Sequence, residues 1–393
     1  MEKNIILPNY EHSVLNTITS ILKYYKVETN HSSLNSLDIK LNKEYKNVVL
    51  IILDGMGEHI LENISHNGYF SRRKIDCVTS VYPSGTTAAL TTYYAGNPPY
   101  ETGWIGWSQY FKEYGRTLDM FSHKESYKGE TIEDAKIDVF DTVVKYIPIF
   151  ERIEEASPDV QAYEITPTYS DKRSKRTIRA DNLEEIVLNL EILCNLPQKK
   201  FIMAYCDNPD SLLHTYGTSS EEAKEFIINA EERIEKMCKK FDEDTIVIIS
   251  ADHGHKDIEK VHTLLDYPEI QECLIMPPSL ESRVVAFWVK ENMKKEFEKR
   301  FNKIFGEEFL LLTTQEFLDK NFLGFGEKHP KIDDFIGNYI ALSTSNSIIR
   351  LETFLAEGKK VKKSTHCGLS KEEMEVPVIV IEPKMLTKSK NIV

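Results

Sequence analysis

The sequence predicts an α/β fold, a mostly parallel sheet sandwiched by helices, and three observations carry that expectation. Short apolar runs rich in β-branched residues recur at 47–55, 159–165, 200–206, 244–254 and 375–383, each ending in polar, turn-forming residues. Runs of this length suit strands buried on both faces, as in a parallel sheet covered by helices. Helical stretches at 182–195 and 220–241 lie between them, and strands alternating with helices build a layered sandwich.

Each element has its own local signal. The 220–241 helix opens on Ser219, Ser220 and two glutamates, residue types that satisfy the free N–H groups of a first turn. Residues 256–362 read differently: a strand at 282–290, an amphipathic helix at 292–306 and another strand at 338–345. This pattern predicts a small α+β insertion, after which 375–383 returns the chain to the main sheet. The expected division is 1–255 plus 363–393 for the core and 256–362 for the insertion. No internal repeat or low-complexity tract is visible.

Composition narrows the function classes. A chain of 393 residues with 41% hydrophobic and 28% charged side chains is ordinary for a folded protein, and long enough to bury a large core. Its net charge of −13 repels nucleic-acid backbones and anionic bilayers, so neither is an expected bulk partner. A phosphate substrate stays open, because bound metal charge outweighs the global field locally. The N-terminus, MEKNIILPNYEHS, shows no signal-peptide pattern, and Val48 to Leu53 is too short to span a bilayer. Six cysteines without a CxxC pair read as free thiols in a reducing cytoplasm.

In open α/β sheets, ligands gather at the carboxyl ends of the strands. There the chain places Asp54-Gly55, then Asp210 with His214 four residues on, then Asp252-His253-Gly254, with His366 just before the last strand. Singly, each has an ordinary explanation: a turn, a surface helix pair or a loop histidine. Adjacent Asp252 and His253 after a buried strand are costlier to explain away. Three carboxylates and three imidazoles at one sheet edge make a donor mixture that suits Zn²⁺. The segment SVYPSGTTAALTTYYAG (80–96) reads as a turn at Pro83-Ser84-Gly85 opening a helix that ends near Gly96. A hydroxyl in that first turn faces unpaired N–H groups and the positive dipole end, a setting for an alkoxide or a bound phosphate oxygen. Plain N-capping by Ser84 or Thr86 is the simpler alternative.

Five motifs now stand in order: LDGMG (53–57), YPSGTTAAL (82–90), PDSLLHTYG (209–217), SADHGH (250–255) and STHCGLSKEEMEVPVIV (364–380). In these the chain resembles the alkaline phosphatase superfamily, and within it the nucleotide pyrophosphatase/phosphodiesterase branch and its bacterial relatives. The resemblance covers most of the chain outside 256–362 and implies that this insertion is cap-like. It implies that Asp54, Asp252, His253 and the Thr86 oxygen hold one metal and that Asp210, His214 and His366 hold the other. Two Zn²⁺ per chain are the implied cofactors, with Mn²⁺ an alternative. It also implies that Tyr205 lines the leaving-group pocket. Charge arithmetic agrees: two Zn²⁺ are matched by three aspartates and a Thr86 alkoxide.

One departure stands out. The branch carries an asparagine about twenty residues after the nucleophile, and here Gly106 and Trp107 occupy that place within TGWIGWSQY (102–110). Gln109 is the candidate replacement. The sulfatase pattern Cys/Ser-x-Pro-x-Arg is missing, which argues against a sulfatase.

The resulting expectation is a two-metal phosphoesterase that hydrolyses phosphodiesters or nucleotide pyrophosphates through a phospho-threonine on Thr86. The alternatives are a phosphomonoesterase, phosphonate hydrolase or phosphomutase on the same metal core, and a catalytically silent metal-binding protein. Trp107 is a candidate substrate contact beside Tyr205; Trp104 and Trp107 could both stack on a base or sugar, but core packing is the expected role of each. No basic residue lies between Lys74 and Lys112, so the wall around Thr86 is expected to be neutral and to favour diesters over dianionic monoesters. Arg173 or Arg176 folding into the site would overturn that expectation.

Overall fold

The computed structural model describes residues 5–126, 142–350 and 362–383. The central sheet has seven strands: β1 (Asn47–Leu53), β2 (Lys74–Thr79), β3 (Val160–Thr166), β4 (Arg176–Arg179), β5 (Lys199–Cys206), β6 (Thr245–Ser250) and β7 (Glu375–Ile381), in the spatial order β2-β7-β6-β1-β5-β3-β4. β6, β1, β5, β3 and β4 pair in parallel, whereas β7 runs antiparallel to both β6 and β2. Every residue of β1 and β6 is buried, which is why these runs carry no polar alternation. Ile149–Ala156 packs on β3, Leu183–Asn195 on β5 and Glu58–Ser65 on β7.

The predicted helices form as Leu183–Asn195 and Glu221–Cys238. Ser220, not Ser219, caps the second by accepting from Ala223 N–H, and Asn182 caps the first through Glu185 N–H. The predicted elements of 282–290, 292–306 and 338–345 form as Val284–Phe287, Lys294–Phe305 and Tyr339–Ser343.

A second, antiparallel seven-stranded sheet draws strands from both parts of the expected division. It runs Phe309–Thr313, Tyr339–Ser343, Val284–Phe287, Ser279–Leu280, Ser108–Phe111, Arg116–Asp119, Lys124–Glu125. Three of its strands come from 108–125, which the sequence reading assigned to the core unit. The junction is Leu280 opposite Ser108. Those strands span four, four and two residues, too few to show a two-residue period.

A buried ion pair ties the two sheets. Arg283 and Glu373 are both fully buried, with Nε donating to Oε1 at 2.6 Å and Nη2 to Oε2 at 2.9 Å. Arg283 also donates to the carbonyls of Ser345 and Ser347, and Glu373 accepts from Gly368 N–H. Removing one partner strands the other charge. Arg283→Met is expected to lower unfolding free energy by about 3–5 kcal/mol in urea titration, with part recovered in Arg283→Met/Glu373→Leu.

Candidate active site

The parallel strands end at one edge, and the first loop residues carry the chemistry. Asp54 follows β1, and its N–H continues the ladder onto Cys206 C=O at 2.9 Å. Asp210 is pinned to it, its N–H donating to Asp54 C=O at 2.9 Å. Asp252 Oδ1 accepts from the N–H groups of Gly55 and His253 at 3.1 and 3.0 Å. Gly55 sits at φ +74, a left-handed turn that only glycine adopts freely.

Thr86 opens the helix Thr86–Ala95, which closes at left-handed Gly96. No side chain caps its start: Ser84 Oγ donates instead to Gly368 C=O at 2.8 Å. The first-turn N–H groups and the Thr86 hydroxyl therefore face the site together. A Cβ at Gly85 would lie 2.3 Å from Cys367 Sγ and 3.0 Å from His366 Nδ1, so glycine permits this helix to approach the His366 loop.

Two ligand-like groups result. Asp54, Asp252 and His253 bring donor atoms within 4.8 Å of one another. His253 Nε2 lies 3.3 Å from Asp54 Oδ1, 3.4 Å from Asp252 Oδ2 and 3.2 Å from Thr86 Oγ1, and Thr86 Oγ1 is 3.4 Å from Asp54 Oδ2. His253 Nδ1 donates to Gly254 C=O at 3.1 Å, which leaves Nε2 as the lone-pair nitrogen. Asp54 Oδ1 and Asp252 Oδ2 are buried without a hydrogen-bond partner. Burial, then the charges of Asp252 and Asp210, push the Asp54 carboxyl well up, and burial also raises Asp252. Two orphaned carboxylate oxygens facing an imidazole lone pair fit a divalent cation of the zinc or manganese type.

The second group centres on Asp210 Oδ1. His214 Nε2 stands 3.4 Å from it on the same helix, Asp210–Tyr216, and His366 Nε2 stands 3.6 Å away. All the residues expected as ligands are thus brought to one place. The sequence reading missed His255, fully buried, with Nε2 2.6 Å from Asp210 Oδ1. The signal was its position two residues after His253, on the same side of an extended chain. Donor atoms of Asp210, His253, His255 and His366 also lie within 4.8 Å of one another. Burial lowers the pKa of His214, lowers His255 to about 3 and takes His366 well below the usual range. Burial opposes ionisation of Asp210, but His214, His255 and His366 together hold its carboxyl well below the carboxylate range.

The aromatic candidates separate. Tyr205 donates its hydroxyl to Asp54 Oδ2 at 2.5 Å and also lines a cavity of about 180 Å³ beside Thr86. Trp107 is 39% exposed and lines both this cavity and a larger one of about 600 Å³. Trp104 is buried and donates its indole N–H to Val144 C=O. Gln109 is fully buried, accepting from Ile105 and Gly106 N–H and donating to Gly103 C=O. It pins the 103–106 loop and does not replace the family asparagine.

The expected neutral wall is also corrected. Arg173 lines the smaller cavity with Thr86, its guanidinium 4.2 Å over the Tyr94 ring, while Lys362 and Arg350 line the larger one. All three lie far from Thr86 in sequence: Arg173 is one of the two arginines named as able to overturn the expectation, whereas Lys362 and Arg350 were not revealed by a local window. Arg176 instead pairs with Glu154. Glu281 shares the larger cavity and accepts from Trp107 N–H at 2.7 Å, and burial pushes its carboxyl up to about 7. Above that pH its anion opposes an incoming phosphate. KM is expected to climb as pH rises from 6 to 8.5, and Glu281→Gln to flatten that climb with little change in kcat.

The family model described as type I phosphodiesterase / nucleotide pyrophosphatase matches residues 48–317. The chain belongs to this family. As a type I phosphodiesterase/nucleotide pyrophosphatase it is a hydrolase of the alkaline phosphatase superfamily, and the family is metal-dependent. Murine ectonucleotide pyrophosphatase/phosphodiesterase 5 superposes with a TM-score of 0.62 at 14% identity, over 87% of this chain and 90% of that one. Phosphonoacetate hydrolase from Sinorhizobium meliloti 1021, in complex with phosphonoacetate, gives 0.61 at 14% identity, over 88% and 91%. The human ectonucleotide pyrophosphatase/phosphodiesterase 5 gives 0.60 at 12%, over 86% and 87%. At such identities the likeness shows the fold. No curated protein matches the sequence. Among the described residues, no helix is long and apolar enough to cross a membrane.

Proposed function

We propose that this protein hydrolyses phosphodiesters or nucleotide pyrophosphates with two divalent cations, Zn²⁺ or Mn²⁺, through a covalent phosphate on Thr86. The observation that carries the reading is the place of Thr86 Oγ1. It stands at an uncapped helix start, 3.2 Å from His253 Nε2 and 3.4 Å from Asp54 Oδ2, beside two orphaned carboxylate oxygens. Asp54, Asp252, His253 and Thr86 would hold one cation, and Asp210, His214 and His366 the other. Bound there, the cations would supply the charge that acidifies a hydroxyl or water and offsets charge on a departing oxygen.

The chain's own groups do the rest. The Thr86 oxygen attacks phosphorus as the bond to the leaving oxygen breaks. Water then attacks the phospho-threonine, the Oγ–P bond breaks, and Thr86 is restored. The first-turn N–H groups of Thr86–Ala95 stabilise the phosphoryl oxygens. Tyr205 holds Asp54 in place by its hydrogen bond. Trp107, exposed at the junction of the two cavities, offers a face for stacking on a base. The murine relative is also known as an inactive threonine-to-alanine variant in complex with AMP, which supports both a threonine nucleophile and a nucleotide ligand. We read 256–362 as a cap over the core, completed by 108–125. The six free thiols support a reducing compartment such as the cytoplasm.

Arg173, Arg350 and Lys362 along the cavities favour a second reading, a monoesterase or phosphonate hydrolase, because they would meet a further negative charge. The test measures kcat/KM for bis-p-nitrophenyl phosphate, p-nitrophenyl phosphate and phosphonoacetate on one metal-loaded preparation, corrected for intrinsic reactivity. The diester is expected to lead. A tenfold lead for either of the others, about 1.4 kcal/mol of transition-state preference, would install the second reading. No turnover of any ester would leave a silent metal-binding protein.

A further inference from the structure

We propose that the smaller cavity beside Thr86 reads the base of a nucleotide substrate, and that Arg173 selects guanine over adenine. The proposal rests on the nucleotide reading above and adds which base is taken. The cavity, about 180 Å³, is walled by Tyr94, Trp107, Phe121, Tyr169 and Tyr205. Five aromatic rings around one space suit a flat π-system with a polar edge. Among the described residues that line it, Arg173 is the one cation. Its guanidinium is held rigidly. It lies 4.2 Å over the Tyr94 ring, donates through Nε to Tyr146 Oη at 3.0 Å and through Nη1 to Asp171 C=O at 3.1 Å, and has Glu164 Oε1 3.6 Å away. The side chain is 7% exposed, and Nη2 makes no hydrogen bond to a described residue.

A fixed, donor-only group on a cavity wall asks for acceptors from whatever enters. Guanine presents two adjacent acceptors, O6 and N7, the edge that a guanidinium reads best. Adenine sets an amino group beside N7, so that a donor would meet a donor. Asp207 supplies the opposite polarity in the same cavity. Its two oxygens take one hydrogen each, from the Tyr169 hydroxyl at 2.9 Å and the Asn208 amide at 3.2 Å, so further lone pairs remain. The carboxylate partner of Arg173 is Glu164, not Asp207. The wall therefore offers a donor group and a separate acceptor group, which match guanine's acceptor edge and its N1–H and N2–H donors. A second phosphate or a carboxylate in this cavity would meet Asp207 as well as Arg173, which makes a charged group the poorer fit.

The test uses the full-length, Zn²⁺-loaded protein carrying Thr86→Ala, which holds a nucleotide without turnover, and measures Kd for GMP, AMP and inorganic phosphate by calorimetry. GMP is expected to bind at least about tenfold more tightly than AMP. Adding Arg173→Lys keeps the charge and loses the planar fork. GMP affinity should then fall to within about threefold of AMP, with inorganic phosphate unchanged. Equal affinities for GMP and AMP while Arg173 is intact would overturn the proposal and leave the two-cation hydrolase reading standing. Nucleotides that bind no more tightly than inorganic phosphate would overturn it as well. Arg173→Lys weakening phosphate as much as GMP would make Arg173 a phosphate clamp, which also ends the proposal. Failure of the protein to take up Zn²⁺ at all would instead bring down the two-cation reading itself. The GMP and AMP comparison needs no change at Arg173, so it decides the matter even where that variant does not fold.

Discussion

Thr86→Ala is expected to lower kcat by at least about 10³-fold while both cations still bind. Thr86 contributes one of several oxygens to its group, whereas Asp54, Asp252 and His253 remain in place. Nothing nearby substitutes for it as nucleophile. Ser84 is committed to Gly368 C=O, and the Thr87 side chain is buried with its hydroxyl unpaired. The residual rate then reflects only positioning and electrostatics, as when a nucleophile is removed from other two-step hydrolases. Quenched-flow turnover followed by intact-mass analysis checks it. Wild type should show a phosphoryl adduct mapping to the peptide that carries Thr86, and the variant none. An adduct on Ser84, or near-normal turnover in Thr86→Ala, would reassign the nucleophile.

The second large effect concerns cation removal. A chelator is expected to abolish turnover, and Zn²⁺ or Mn²⁺ to restore it. The metal-free protein should also be distinctly less stable. Asp54 and Asp252 are acids whose folded pKa lies above the unfolded value. The stability they contribute is present at low pH and lost as pH rises from about 3.9 through the folded pKa. The buried histidines, with lowered pKa values, act in the opposite sense. Their stability is lost as pH falls below about 6.5, so at pH 8 they contribute no change. At that pH the carboxylate penalty remains, and a cation removes it. Saturation at a thousand times Kd should add about 4 kcal/mol per site. Asp54→Asn separates the terms: its metal-free form should be more stable than metal-free wild type at pH 8 by about 1–3 kcal/mol, yet gain less from Zn²⁺ and turn over poorly. Equal metal-free stabilities in a urea titration would show that the buried carboxylates are not in conflict.

Much of the fold was legible because burial on both faces forces continuous apolar strands, and β1, β5 and β6 are such runs. The Asp54 and Asp252 positions were legible for a related reason: two polar residues directly after such a strand need a use. What escaped was short or distant. The strands between 108 and 125 pair with Ser279–Leu280 far along the chain, and so few residues encode no register. Gln109 looked free in the sequence because its partners are backbone groups of its own loop. Arg350 and Lys362 were invisible to a reading confined to residues near Thr86, and Arg173 stood there only as a distant arginine whose folding into the site would overturn the neutral wall.

By itself the sequence determined the chemistry: which residues follow which strands, and that their donor atoms are oxygens and nitrogens. Tertiary structure alone decided how those residues converge. His366 precedes β7, and a strand parallel to its neighbours would have placed that histidine at the far edge of the sheet. β7 instead runs antiparallel to β6, so its first residues lie at the carboxyl edge of the parallel strands. His366 therefore comes within 3.6 Å of Asp210. An apolar run has no direction written in it, because burial on both faces suits either orientation equally. The orientation comes from hydrogen-bond pairing with strands more than a hundred residues away.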